Sequence, residues 1–256
     1  MSIVPSATRW GSPTATKHAL LVHGLTSSSH TWHKVAQALV AEGYLVTAPN
    51  LLGHVSRWSN DYRIRNIAED ILPLLSGGQQ YDLVIAHSMG SLVTLNLLPF
   101  FSRSKIFPII LIDPPLEQDE TIIAQKRLMF TDAITNIKNP EFYMEQNPRW
   151  SREDAVWRVL ATRLVDPNLI QFIYQHNSPW SFSHLFGTVP PNIKMTVLLA
   201  DPKMNPSGHL KDIQPYSHIR TQIVPGAAHW IQQDFPDVVV DVATKAVKDA
   251  TVKSVL

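Results

Sequence analysis

Residues 82–97 read DLVIAHSMGSLVTLNL, and this stretch decides the fold. Its first part is a short apolar run typical of a buried strand, and its last part carries apolar residues at helical spacing. Between them stands Ser88, with Ala86, Gly90 and Ser91 as small neighbours. A serine on a sharp strand-to-helix turn needs small residues around it, because the turn is strained and exposes the hydroxyl group above the sheet. The stretch therefore predicts a turn that presents Ser88 as a nucleophile.

The same alternation of apolar runs and amphipathic helices extends over most of the chain. It is typical of a mostly parallel sheet covered by helices on both faces, which is an α/β fold. The predicted strands are 18–22, 44–48, 82–86, 106–112, 195–200 and 221–224, and the predicted covering helices are 31–42, 64–75, 89–101 and 237–248.

The alternation stops between Asp113 and Ile193, where helical stretches such as 121–134 and 152–164 predominate and no strand is predicted. Ten of the 22 aromatic residues fall in this region. We therefore expect a core made of residues 1–113 and 194–256, and a helical insertion over 114–193 that acts as a cap. The aromatic side chains either line an apolar pocket or form the core of a small satellite domain, and for any single one the second reading is favoured.

Composition excludes several function classes. The 256 residues carry 22 Lys and Arg against 21 Asp and Glu, so no bulk field favours nucleic acid or an anionic membrane. The absence of cysteine removes disulfides, thiolate metal sites and cysteine nucleophiles. Residues 1–11 lack the basic start and apolar run of a signal peptide. We expect a cytoplasmic protein without metal, nucleic-acid partner or membrane partner, as a monomer or homodimer.

Donors for a developing negative charge are predicted next to the serine. Gly24 directly follows the strand 18–22 and lets the chain turn closely past Ser88, which leaves the backbone N–H of Leu25 free. Together with the N–H of Met89 it would form a two-donor oxyanion hole. The alternative is that Gly24 is an ordinary strand-to-loop glycine.

A base and its acid are predicted from the ends of later strands. His229 lies just beyond the last predicted strand, and the carboxyl ends of parallel strands open onto one edge, so His229 can meet Ser88. Asp201 follows the strand 195–200 and is our favoured partner for the imidazole, while Asp113, after the preceding strand, competes with it. Both aspartates precede proline, a pairing equally typical of a turn or cap.

These residues together resemble the α/β-hydrolase superfamily, specifically its single-domain serine hydrolases with a helical cap. The resemblance covers about residues 15–250 and rests on His23-Gly24, the turn 86–90, Asp201, Ala228-His229-Trp230 and Asp234-Phe235-Pro236. It implies a cap inserted after the sixth core strand and no cofactor. It also implies Ser88 as nucleophile, His229 as base, Asp201 as orienting acid, and Leu25 and Met89 as oxyanion donors. The chain departs from the family at 50–56, where NLLGHVS replaces the usual D-x-x-G-x-G-x-S.

A serine nucleophile in this family implies hydrolysis of a small to medium hydrophobic ester or lactone through an acyl-enzyme. The same residues also serve lactone-forming cyclases, transacylases, carbon–carbon bond hydrolases and lyases, and the fold also serves small-molecule receptors. The lack of clustered Arg or Lys in the cap argues against polyanionic substrates. The expected pocket residues are Met129, Phe130, Trp180, Phe182 and Trp230.

Overall fold

The computed structural model describes residues 6–76 and 80–253. Seven strands form one sheet, in which the first strand is antiparallel to its neighbour and all other neighbours are parallel. The strands of the described residues are β1 (Ala7–Trp10), β2 (Lys17–Val22), β3 (Tyr44–Pro49), β4 (Leu83–His87), β5 (Phe107–Ile112), β6 (Glu117–Gln118), β7 (Trp180–Ser181), β8 (Ile193–Leu199) and β9 (Arg220–Ile223).

The sheet order is β1-β3-β2-β4-β5-β8-β9, and the two-residue strands β6 and β7 pair with each other. All six strands predicted from the sequence are present. The edge strand β1 escaped prediction because four partly exposed residues are too short to show an alternating pattern. Among the described residues one strand precedes β2, so the helical insertion follows the fifth of their strands in chain order, whereas the resemblance implied the sixth core strand.

The predicted helices are also present, with one interruption. Pro73 has no backbone N–H to continue a helix, so the predicted helix 64–75 divides into two. The described helices are α1 (His33–Ala41), α2 (Ile64–Asp70), α3 (Pro73–Ser76), α4 (Met89–Leu97), α5 (Glu120–Thr135), α6 (Pro140–Gln146), α7 (Arg152–Arg163), α8 (Leu169–His176), α9 (Ile231–Asp234) and α10 (Pro236–Lys253). Over the ranges 6–76 and 80–253, none of them is long and apolar enough to cross a bilayer.

The central strands are buried on both faces. Leu21, Ile85 and Ile110 pack into the hydrophobic cluster that includes residues of α1 and α10. Their neighbours along each strand face the opposite way, into a larger cluster that includes residues of α2, α4 and α8. This alternation with period two explains why each central strand reads as a continuous apolar run.

The segment between β5 and β8, where the sequence predicts an insertion over 114–193, contains α5 to α8 and is joined near its two ends. β6 and β7 pair across it, with Gln118 opposite Trp180. Two hydrogen bonds continue this junction: the indole N–H of Trp180 donates to the carbonyl of Pro115 at 2.6 Å, and the N–H of Phe182 donates to Leu116 at 2.9 Å. The sequence predicted no strand here, because two residues are too few to show a pattern.

Helix α4 begins so close to β2 that its first turn has room only for glycine. A Cβ atom on Gly90 would lie 2.4 Å from the carbonyl oxygen of Val22 and 2.5 Å from that of His23. Both contacts are to backbone, which cannot rotate away as a flexible side chain could. Gly90 therefore fixes how closely the start of α4 approaches the end of β2.

We expect Gly90→Ala to lower the stability of the fold by at least about 2 kcal/mol, because the added methyl group must displace backbone. For a chain of this size that corresponds to a fall in Tm of about 4–8 °C, measured by circular dichroism or differential scanning fluorimetry. Gly187→Ala is the matched control, since its Cβ would meet only Tyr216, at 3.8 Å. Equal Tm values for the two variants would contradict this packing.

Candidate active site

Ser88 occupies the strained turn between β4 and α4. Its φ of 52° and ψ of −126° are values that L-residues adopt at a cost of about 1–3 kcal/mol, and they persist here because the surroundings over-determine them. Its backbone N–H donates to Ile112 at 2.8 Å, which ties the turn to β5. Ser88 is 8% exposed and lines a cavity, so its hydroxyl group is accessible to a small molecule.

The imidazole of His229 is paired with the carboxylate of Asp113. Nδ1 of His229 lies 2.6 Å from Oδ2 of Asp113. Because an ionised carboxylate only accepts hydrogen bonds, Nδ1 carries the proton and Nε2 has a free lone pair. His229 lines the same cavity as Ser88, on the loop after β9. The pair thus holds a base in one tautomer beside the serine.

Asp113 is fully buried at the end of β5 and receives several hydrogen bonds. Besides His229, the backbone N–H groups of Ser207 at 2.8 Å and of Ala200 and Gly208, each at 3.2 Å, donate to it. Burial acts to raise the pKa of Asp113, but the hydrogen bonds of His229, Ser207 and Ala200 outweigh burial and hold this pKa below its ordinary value. Asp113 therefore carries a negative charge against His229.

The structure pairs His229 with Asp113 and not with Asp201, which corrects our expectation for the acid. Asp201 accepts hydrogen bonds from the N–H groups of Gly226 at 2.8 Å and Lys203 at 3.0 Å, and these bonds lower its pKa. It therefore caps a turn at the edge of the sheet. Both aspartates follow strands and precede proline, so the sequence did not separate them. The difference is a φ of 43° at Asp113, which no local pattern predicts.

The loop after β2 passes directly against Ser88. A Cβ atom on Gly24 would lie 2.9 Å from Cβ of Ser88, so the close approach inferred from the sequence is present. Leu25, the next residue, lines the cavity with Ser88. Met89 is the first residue of α4, so its N–H has no acceptor within the helix. The residues predicted as oxyanion donors thus lie on both sides of the serine.

Two buried histidines fix the loop that carries Leu25. Nδ1 of His23 lies 2.8 Å from the carbonyl of Gly24, and its Nε2 accepts from Leu51 at 3.1 Å. Nε2 of His54 accepts from the N–H of Thr26 at 3.0 Å. Burial lowers the pKa of His54 to about 4 and that of His23 well below its ordinary value, so both rings are neutral acceptors at pH 7. They hold the backbone on each side of Leu25.

A third buried histidine supports the base. Nε2 of His87 lies 2.9 Å from the carbonyl of His229, and the two rings are 4.6 Å apart. Burial, the larger cause, and repulsion from the nearby His229, the smaller one, lower the pKa of His87 well below its ordinary value. His87 is therefore a neutral donor that anchors the backbone of the base without adding a charge.

Three adjoining cavities of about 260, 20 and 420 Å³ lie at the site, and Ser88 lines the first two. Of the predicted pocket residues, Met129, Phe130 and Trp230 line the 260 Å³ cavity beside Ser88 and His229. Trp180 lines the smallest cavity, also beside Ser88 and His229. Phe182 lines none of these cavities and instead packs against Trp180, with ring centroids 5.5 Å apart.

Two cationic side chains also line the 260 Å³ cavity: Lys126 on α5 and Arg158 on α7. The sequence did not assign either of them to the site. Arg158 is preceded by Asp154 and Ala155 and followed by Val159 and Thr162, all of them buried. The apolar members of this group are the signal that its helix face is internal. The described residues contain no group of three or more His, Asp or Glu placed to bind a metal ion.

The family model for the alpha/beta hydrolase family matches residues 19–242 of the chain. Lipase LipV of Mycobacterium tuberculosis strain H37Rv is 24% identical over 163 residues, which are 63% of this chain and 59% of that lipase. The matched segment thus spans less than two thirds of that relative's length.

Solved structures share the fold over nearly the whole chain. A carboxylesterase structure from the ammonia-oxidizing thaumarchaeon Nitrososphaera gargenis aligns with a TM-score of 0.74 at 14% identity, covering 97% of this chain and 95% of that one. An esterase from Thermogutta terrifontis aligns with a TM-score of 0.70 at 16% identity, covering 96% and 93%. With the family match over 19–242 and the serine turn between β4 and α4, the chain belongs to the alpha/beta hydrolase family.

Proposed function

We propose that this protein is a serine hydrolase that cleaves a small to medium carboxylic ester or lactone through an acyl-enzyme. The observation that carries the proposal is the pairing of His229 with the buried Asp113 in the cavity that Ser88 lines. The lipase and esterase names of the relatives support ester chemistry, which the proposal extends to this chain.

In the first half of the proposed reaction, Ser88 Oγ attacks the substrate carbonyl carbon while Nε2 of His229 takes the hydroxyl proton. The Asp113 carboxylate stabilises the imidazolium ion that forms, through the 2.6 Å contact with Nδ1. The N–H groups of Leu25 and Met89 stabilise the negative charge on the carbonyl oxygen.

His229 then gives this proton to the leaving alkoxide, and the acyl group remains on Ser88, which completes the first half. In the second half, water attacks the acyl-enzyme while Nε2 of His229 takes its proton; His229 then returns that proton to Ser88 Oγ as the acyl C–O bond breaks and the acid is released. No step requires a cofactor or a metal ion in this proposal.

The helical insertion is the cap in this proposal. Phe130, Tyr174 and Trp180 come from the insertion and form an aromatic side of the 20 Å³ cavity at Ser88, which Gln118 and Lys126 also line. This aromatic side suits a compact apolar group. The wider cavities of 260 and 420 Å³ leave room for the other part of the substrate. We therefore expect a small-molecule ester with at least one short apolar part.

Ser88→Ala is expected to lower kcat/KM for p-nitrophenyl butyrate at least about 1,000-fold, because no other group replaces the attacking oxygen. The measurement is p-nitrophenol release, followed from the first turnover. Ser91→Ala is the matched control: this hydroxyl, three residues along, donates to Ala86 at 3.1 Å, and its loss should change the rate less than about threefold. A single burst that then stalls in the parent protein would contradict hydrolytic turnover and favour a receptor or an acyl-transfer role.

Asp113→Asn and Asp201→Asn separate the two candidate acids. An amide at 113 no longer stabilises the imidazolium ion, so we expect kcat for the same ester to fall about 100- to 10,000-fold. Asp201→Asn should retain at least about a third of the parent kcat, since its carboxylate bonds only backbone N–H groups of its own turn and of Gly226. The reverse order of effects would return the acid role to Asp201.

A further inference from the structure

Arg158 is a buried cation without an acidic partner. It is 6% exposed, and among the ion pairs of residues 6–76 and 80–253 none involves it. The acid one turn earlier on α7, Asp154, pairs instead with Lys34 at 2.5 Å. Burying a charge without a counter-ion is costly, so such a group in a cavity requires an explanation.

The contacts that Arg158 does make leave its charge uncompensated. Its Nη1 donates to the carbonyl of Thr26 at 2.5 Å and to the Thr26 hydroxyl at 3.0 Å. Its guanidinium lies 5.0 Å from the ring centre of Trp230 and 5.8 Å from that of Tyr143. Burial lowers the pKa of Arg158, and Tyr143 offsets this only in part. Since a guanidinium has five N–H donors, it can still bind another acceptor.

Lys126 places a second cation in the same cavity. Its ammonium group donates to the hydroxyl of Ser207 at 3.0 Å, and Ser207 in turn donates its backbone N–H to Asp113. Asp113 is the acid nearest in this network, but it is already paired with His229. Burial lowers the pKa of Lys126, and the charge of Asp113 partly offsets this.

The charges around the 260 Å³ cavity do not balance. Lys126 and Arg158 line it together with Ser88 and His229, and its lining contains no Asp or Glu. Glu117 lines only the outer cavity of 420 Å³, where it accepts a hydrogen bond from Ser183 at 2.9 Å. Two cations against the Asp113 carboxylate leave one positive charge beside the nucleophile.

We infer that Lys126 and Arg158 form an anion subsite within the catalytic cavity, and that the substrate carries a carboxylate on the part that lies there. This inference rests on the proposed hydrolase function and names its substrate class: a half-ester of a dicarboxylic acid, or a similar ester with one free carboxylate. One carboxylate matches the one surplus charge, so the substrate is singly charged, and the apolar lining at Met129 and Phe130 accommodates its methylene groups.

A matched pair of esters tests the subsite. The mono-p-nitrophenyl ester of glutaric acid and p-nitrophenyl valerate have acyl chains of equal length, with a carboxylate in one where the other has a methyl group. We expect the parent protein to show a kcat/KM at least about tenfold higher for the glutarate ester. Lys126→Gln and Arg158→Gln should each lower the ratio of the two kcat/KM values by about tenfold or more.

Controls on the same two helices separate local charge from general effects. Arg127→Gln on α5 and Arg163→Gln on α7 remove exposed cations outside the cavity and should leave the ratio unchanged. Arg158→Lys keeps the charge and should retain more of the ratio than Arg158→Gln. A role of Arg158 only in holding Thr26 would slow both esters by the same factor, and an unchanged ratio in both glutamine variants would overturn the inference.

Binding without turnover provides an independent measurement. Isothermal titration of the Ser88→Ala protein with monomethyl glutarate, which carries one carboxylate, should give saturable heat, which Lys126→Gln abolishes. If the parent hydrolyses neither ester, the proposed function fails, and this titration still decides whether the anion subsite exists. If both esters are hydrolysed equally well and monomethyl glutarate does not bind, the subsite is wrong and the hydrolase proposal stands.

Discussion

The close approach of α4 to the end of β2 is the constraint on which the site depends. Because Gly90 lies against the carbonyl groups of Val22 and His23, the turn between β4 and α4 is pressed onto the loop that follows β2. The same contact brings Gly24 beside Ser88. The nucleophile and the residues on both sides of it are therefore positioned by backbone packing between two central strands, which side-chain motion does not disturb.

Much of this arrangement follows from the sequence, because its signals are local or follow from a general rule. The alternation of apolar runs with helices predicts the sheet, and small residues around Ser88 predict the turn. The rule that parallel strands open onto one edge brings His229 to Ser88. The sequence does not decide between Asp113 and Asp201 as the acid. The strands β5 and β8 are neighbours in the sheet, and each aspartate comes after the carboxyl end of one of them. Asp113 has a φ of 43° and turns its carboxylate to the imidazole, whereas the backbone of Asp201 is extended.

The two cations of the 260 Å³ cavity were not predicted from the sequence, for a different reason. Lys126 and Arg158 lie on separate helices of the insertion, so neither composition nor a charge run brings them together in the sequence. Their meeting depends on how α5 and α7 pack over the sheet. The expectation drawn from the sequence, a hydrophobic substrate with no clustered cations near it, accounts for the aromatic residues of the 20 Å³ cavity and not for the two cations that line the 260 Å³ cavity. Together the aromatic and the cationic side chains describe an amphipathic ligand.

The neutral histidines at positions 23 and 54 have a consequence for acid tolerance. The pKa of His54 is about 4 in the folded chain and near its ordinary value of 6.5 in the unfolded chain. Between these two pH values the unfolded chain therefore binds a proton at His54 that the folded chain does not bind. Folding free energy is thereby lost progressively as the pH falls from about 6.5 towards 4. A proton on Nε2 of His54 also turns the acceptor of the Thr26 N–H into a donor, and the two then repel. Acidification therefore weakens the fold through the segment that carries Leu25, because these two histidines hold its backbone.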